Sequence, residues 1–133
     1  MAEASGDALA DAALRARENA YAPYSNFRVG AALEDADGRI YTGCNVENAT
    51  YGLTVCAERV AVFKAISEGA RKFRRIAVAA DAERMTPPCG ACRQILWEFC
   101  GDIEVTLMNT RGGSETMRMK DLFPRPFDAE NLH

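Results

Sequence analysis

The chain of 133 residues has a single histidine, His133, at its last position. A histidine-based catalytic triad is therefore excluded, and any metal site must be built mainly from thiolates. Long apolar runs are missing as well. Ile76-Ala77-Val78-Ala79-Ala80 is the longest beside a strand signal, far short of the roughly 20 apolar residues a membrane span needs. The first residues are acids and alanines without a basic stretch leading into an apolar one, so no secretory signal is expected. Positive charge is scarce: 16 Lys and Arg face 19 Asp and Glu, a net charge of -3. The densest basic patch, Arg71-Lys72-Phe73-Arg74-Arg75, is expected to be a solvated loop. Nucleic-acid binding needs a broad positive footprint, so neither nucleic acid nor membrane is an expected partner. No repeat, low-complexity tract or linker interrupts the chain, and 133 residues fit one domain, 1–133. With 48% hydrophobic and 26% charged residues, the composition is that of a globular chain and excludes disordered, collagen-like and coiled-coil readings.

Cysteine is the informative residue. The five cysteines, Cys44, Cys56, Cys89, Cys92 and Cys100, are odd in number, and a core of this size needs no disulfide staples. Reduced thiols in a cytoplasm are the expectation, some of them available to a metal or to catalysis.

Hydrophobic spacing gives the elements that carry these thiols. A first helix is expected from about Asp7 to Ala20, with Leu9, Ala12, Ala13 and Ala16 on one buried stripe, after a frayed Met1–Gly6. Val29–Leu33 and Arg39–Cys44 read as a hairpin across Asp35-Ala36-Asp37-Gly38. Cys56–Glu68 reads as a helix, with Val60, Phe63, Lys64 and Ile66 near helical spacing and Gly69 as its stop. Ile76–Ala80 reads as a strand covered on both faces, and Cys89 or Gly90 to Phe99 as a helix after Pro87-Pro88. Ile103–Met108 and Glu115–Arg118 complete five strands, and Lys120–Phe123 is a helical turn. The order implies an α/β chain: a three-layer α/β/α sandwich around a mixed five-stranded sheet.

Cys89 and Cys92 are three apart at a helix start, so they share a face and can share a metal. Cys56 opens the other helix, and helix N-termini favour negative charge and acidify thiols. Two such starts facing each other would hold three sulfurs around one Zn²⁺ and leave a tetrahedral position open, as catalytic zinc requires. A fourth ligand from Cys44 or Cys100 would instead close it into a structural site, which makes a non-enzymatic zinc module the rival reading. Glu58 stands two residues after Cys56, placed to carry protons without being a ligand. Arg59 and the two helix dipoles would offset the negative charge of zinc with three thiolates.

Cys56-Ala57-Glu58-Arg59 and Pro88-Cys89-Gly90-Ala91-Cys92-Arg93-Gln94 fit the general pattern of zinc deaminases. Together with Tyr24-Ser25-Asn26-Phe27, Val29-Gly30-Ala31-Ala32-Leu33, Cys44-Asn45-Val46-Glu47-Asn48 and Tyr51-Gly52-Leu53, they make the chain closely resemble the small homotetrameric cytidine deaminases, from Tyr21 to Phe127. The resemblance implies hydrolytic deamination of free cytidine and 2′-deoxycytidine by zinc-activated water, in pyrimidine salvage. It implies that Cys56, Cys89 and Cys92 bind one zinc per subunit and that Glu58 shuttles protons. It implies that Phe27 packs on the pyrimidine, that Asn45 and Glu47 hydrogen-bond the ribose 3′-hydroxyl, and that the Ala57 N–H reads O2 of the base. Tyr51 is implied at the substrate site, and Arg59 as a hydrogen-bond donor to the zinc thiolates. By the same resemblance Phe127, in the tail Leu122-Phe123-Pro124-Arg125-Pro126-Phe127, reaches a neighbouring subunit's active site within a homotetramer. Phe123 departs from the usual leucine, and Pro87 from a common serine, which removes a hydroxyl and a backbone donor ahead of the helix. A nucleoside antibiotic or a base within nucleic acid is the alternative substrate; the acidic net charge disfavours a polynucleotide.

Overall fold

The computed structural model describes residues 3–50, 53–82 and 87–122, with side chains from Ala8 onward. The elements run α1 (Glu3–Arg17), β1 (Val29–Asp35), β2 (Ile40–Cys44), α2 (Ala57–Ser67), β3 (Phe73–Ala80), α3 (Gly90–Cys100), β4 (Glu104–Asn109), β5 (Ser114–Arg118) and α4 (Met119–Leu122). The strands form one sheet in the order β2-β1-β3-β4-β5. Only β3 and β4 pair in parallel, so the sheet is mixed as the pattern implied. No helix among the described residues is long and apolar enough to cross a membrane.

Strand alternation divides the core between the two faces. Ala32, Ala77, Ala79 and Met108 meet Leu9, Ala12 and Ala13 of α1 on one face. Ala31, Leu33, Ile76, Val78, Val105 and Leu107 meet α2 and α3 on the other. The stripe read in α1 is therefore buried, but the helix begins at Glu3 and ends at Arg17. Over Glu3–Gly6 this early start replaces the expected fraying. Its tail tightens into i→i−3 turns, with the N–H groups of Glu18, Asn19 and Ala20 donating to Arg15, Ala16 and Arg17. Gly30 lets α1 lie on β1: a Cβ there would sit 2.1 Å from the Ala13 carbonyl oxygen.

Helix α2 corrects the sequence reading. Its buried face is Ala57, Glu58, Ala61, Val62 and Ala65, whereas Phe63 is 45% exposed and Lys64 points outward. The cause is another close approach: a Cβ on Gly43 of β2 would meet the Ala57 carbonyl oxygen at 2.5 Å and the Ala61 nitrogen at 2.6 Å. Alanines therefore face Gly43, and Phe63 turns outward. There Phe63 meets Phe99 of α3 edge-on, with centroids 6.5 Å apart. The basic patch is likewise no free loop. Phe73–Arg75 open β3, Arg75 pairs with Glu34 at 2.8 Å, and Arg71 caps the carbonyls of Ile66 and Ala70.

Strand direction places the site. β2 and β3 both pair antiparallel with β1, so they run parallel to each other and end where β1 begins. α2 follows β2 and α3 follows β3, so both helix N-termini come to that sheet edge. Asp81, just after β3, binds Arg17 from the end of α1 at 2.8 Å and Arg28, just before β1, at 3.0 Å. These pairs tie the same edge together.

Candidate active site

Cys56 is the N-cap of α2 and Cys89 the N-cap of α3, and neither side chain makes a capping hydrogen bond. Serine or aspartate would cap these ends better; here the sulfurs serve another purpose. Cys92, in the first turn of α3, joins them, and the three Sγ atoms lie within 4.8 Å of one another. Cys56 and Cys89 Sγ are 3.9 Å apart. A tetrahedral ion with Zn–S bonds of about 2.3 Å spaces its sulfurs about 3.8 Å apart, so this donor set fits zinc. Among the described residues, neither Cys44 nor Cys100 joins the cluster. Burial raises the Cys44 thiol and pushes Cys100 up to about 12, so both keep their protons near neutrality; both are half-buried, Cys100 against the core.

One of the three thiols is acidified at the expense of another. The Cys92 thiol donating toward Cys56 holds Cys56 well below the usual thiol range, against burial and with help from Arg59. The same contact, with burial, pushes Cys92 up. Arg59 Nη2 donates to Cys56 Sγ at 3.4 Å and to the Thr54 carbonyl at 3.3 Å. Its Nε is buried without a protein partner among the described residues. Arg59 thus supplies positive charge where the sequence reading wanted it.

Glu58 is 5% exposed, and burial pushes its carboxyl up to about 7. A group titrating there can both accept and return a proton near neutrality. Ala57 occupies the first turn of α2, where its N–H has no intrahelical acceptor.

These groups open onto a cavity of about 240 Å³. Phe27, Val29 and Val78 give it apolar walls, and Asn45 and Glu47 enter from the segment after β2. Asn45, 8% exposed, accepts the Val29 N–H at 2.9 Å and donates to the Phe27 carbonyl at 2.8 Å. Half of its amide capacity remains for a ligand. Glu47 Oε1 accepts the N–H groups of Tyr24 and Ser25 at 3.0 and 3.1 Å, and Oε2 accepts the Ser25 hydroxyl. The structure therefore gathers Cys56, Ala57, Glu58, Cys89, Phe27, Asn45 and Glu47 around one cavity, with Cys92 and Arg59 behind the sulfurs. Tyr51 and Phe127 lie outside the described residues.

The sequence reading gave no role to Ser25, Val29, Thr54 or Val78, all of which line the cavity. Ser25 stands within one of the motif segments, but nothing in the sequence points to its partner Glu47, 22 residues on. Pro87 is exposed at the rim. The next carbonyl, Pro88, accepts Arg93 Nε at 2.7 Å, while Arg93 Nη1 reaches the Leu122 carbonyl at 2.8 Å. Arg93 thus fixes the start of α3 to the end of α4.

Residues 4–108 match the family described as "Cytidine and deoxycytidylate deaminase zinc-binding region". A cytidine deaminase of Sporosarcina psychrophila is 53% identical over 119 residues, 89% of this chain and 88% of the relative. One of Halalkalibacterium halodurans is 52% identical over 122 residues, 91% and 92% of the two chains. The crystal structure of cytidine deaminase from Burkholderia pseudomallei superposes with a TM-score of 0.87 at 50% identity, covering 91% of this chain and 98% of that one. Thiols at two helix starts, a buried glutamate lining the same cavity and relatives matched along nearly their whole length leave one assignment: the chain belongs to the cytidine and deoxycytidylate deaminase family.

Proposed function

We propose that this chain, as a single catalytic domain over residues 1–133, hydrolyses free cytidine and 2′-deoxycytidine to uridine and 2′-deoxyuridine with release of ammonia. The observation that carries the reading is a cluster of three thiols at two helix starts, two of which line one cavity together with a buried glutamate. Cys56, Cys89 and Cys92 would hold one zinc ion, which when bound supplies Lewis-acid activation of water beside C4 of the pyrimidine.

The chain's own groups then do the rest. Phe27 packs on the pyrimidine ring, and the Ala57 N–H donates to O2. Glu58 takes a proton from the attacking water and delivers it to ring N3. It moves the second proton to the exocyclic amine, so ammonia departs and a carbonyl forms at C4. Its burial, which favours the neutral carboxyl, suits repeated exchange near pH 7. Arg59 steadies the Cys56 thiolate. Asn45 and Glu47 meet the ribose 3′-hydroxyl; neither reads the 2′ position, so both sugars are accepted.

Tyr51 and Phe127 border the substrate in this reading, Phe127 from a neighbouring subunit of a homotetramer. Reduced thiols suit a cytoplasmic enzyme of pyrimidine salvage. Turnover of cytidine, CMP and single-stranded DNA, with and without chelator, tests the proposal. Chelator-sensitive turnover of cytidine is expected; a preference for DNA contradicts it.

A further inference from the structure

Glu47 and Phe27 reach the cavity from different segments, and one hydroxyl joins them. Ser25 Oγ donates to Glu47 Oε2 and accepts the Phe27 N–H at 3.0 Å. Between Ser25 and Phe27, Asn26 has φ 58°, the one non-glycine residue of positive φ among those described. Asparagine tolerates this left-handed conformation better than most residues. The turn aims the Ser25 hydroxyl at Glu47 while Phe27 folds back onto it.

A carboxylate offers about four lone-pair sites, two on each oxygen. Both sites on Oε1 are taken by the N–H groups of Tyr24 and Ser25. One site on Oε2 is taken by the Ser25 hydroxyl. The remaining acceptor is on the oxygen that Ser25 holds. The Ser25 hydroxyl also keeps the Glu47 carboxyl below its usual range, so the group stays an acceptor.

We propose that Ser25 is a positioning residue: its hydroxyl aims the last acceptor of Glu47 at the sugar and ties that oxygen to the backbone of Phe27, coupling sugar and base recognition. The inference rests on the reading that Glu47 meets the ribose 3′-hydroxyl. A purely structural turn would stabilise the segment without distinguishing one sugar from another.

The test compares kcat and KM for cytidine and 3′-deoxycytidine in the zinc-loaded chain. The proteins are wild type, Ser25→Ala, Ser25→Thr, Glu47→Gln and the Ser25→Ala/Glu47→Gln double variant. Ser25→Ala is expected to raise KM for cytidine about tenfold with kcat within about twofold, the size of one hydrogen bond to a charged group. Most of its discrimination against 3′-deoxycytidine is lost, and Ser25→Thr restores it. The double variant discriminates between the two sugars no less than Glu47→Gln alone, because on the sugar both changes remove one interaction. Equal losses on both nucleosides in Ser25→Ala, or a further loss of discrimination in the double variant, overturn the proposal and leave Glu47 in place. If Glu47→Gln itself discriminates as well as wild type, the sugar reading fails and takes the proposal with it. Should Ser25→Ala not fold, the equally shaped pair Ser25→Thr and Ser25→Val decides. Discrimination kept by threonine and lost by valine supports the proposal; equal behaviour of the two overturns it.

Discussion

Replacing Glu58 by glutamine keeps the side chain's shape and removes its proton. The buried carboxyl titrates at about 7, raised from an ordinary 4.5. That difference corresponds to about 3 kcal/mol between the two protonation states. The unfolded chain releases this proton near 4.5, and the folded chain holds it until about 7. The stability contributed by the protonated group is complete below 4.5 and is lost as pH rises through about 7. Glutamine does not titrate. The unfolding free energy of Glu58→Gln relative to wild type should therefore climb by about 2–3 kcal/mol between pH 5 and 8. Urea unfolding of the metal-free proteins across that range measures it, since a cation beside the carboxyl would itself favour ionisation. The zinc-loaded variant should retain its metal and lose turnover by at least about 100-fold, the scale of lost general acid–base catalysis. Parallel pH curves would refute the buried acid, and retained turnover would refute the proton carrier.

Further perturbations follow from the close packing and the thiols. Gly43→Ala places a Cβ 2.5 Å from the Ala57 carbonyl oxygen, so α2 must lift and carry Cys56 with it. It should cost about 1–3 kcal/mol in urea unfolding and speed zinc loss to a chromogenic chelator. Gly90→Ala, with nothing within 4 Å of the new Cβ, should change stability by less than about 0.5 kcal/mol; equal costs at the two sites would contradict the packing argument. Cys44→Ser and Cys100→Ser should each keep one zinc per chain by elemental analysis, because neither sulfur stands in the cluster. Loss of metal from either variant would restore the structural-zinc reading.

What the sequence disclosed depended on how local each cause was. The α1 stripe was legible because Leu9, Ala12, Ala13 and Ala16 bury one helical face against the sheet. The inner face of α2 was hidden because its alanines are dictated by Gly43 on a neighbouring strand. Arg75 read as part of a solvated loop, although strand register sets it opposite Glu34, 41 residues away. The thiols and Glu58 were legible through their chemistry: few residue types can do this work, and the spacing of Cys89 and Cys92 at a helix start puts those two on one face. Ser25 gave no such signal, since its role depends on a turn through Asn26 and a partner on another segment.

The most direct measurement is cytidine turnover as zinc is titrated into the metal-free chain. Activity should rise in proportion to added zinc and level off at one ion per chain, and the Cys56→Ser, Cys89→Ser and Cys92→Ser variants should not follow that line. Full turnover before any zinc is added, or an unchanged titration in those variants, would contradict the account.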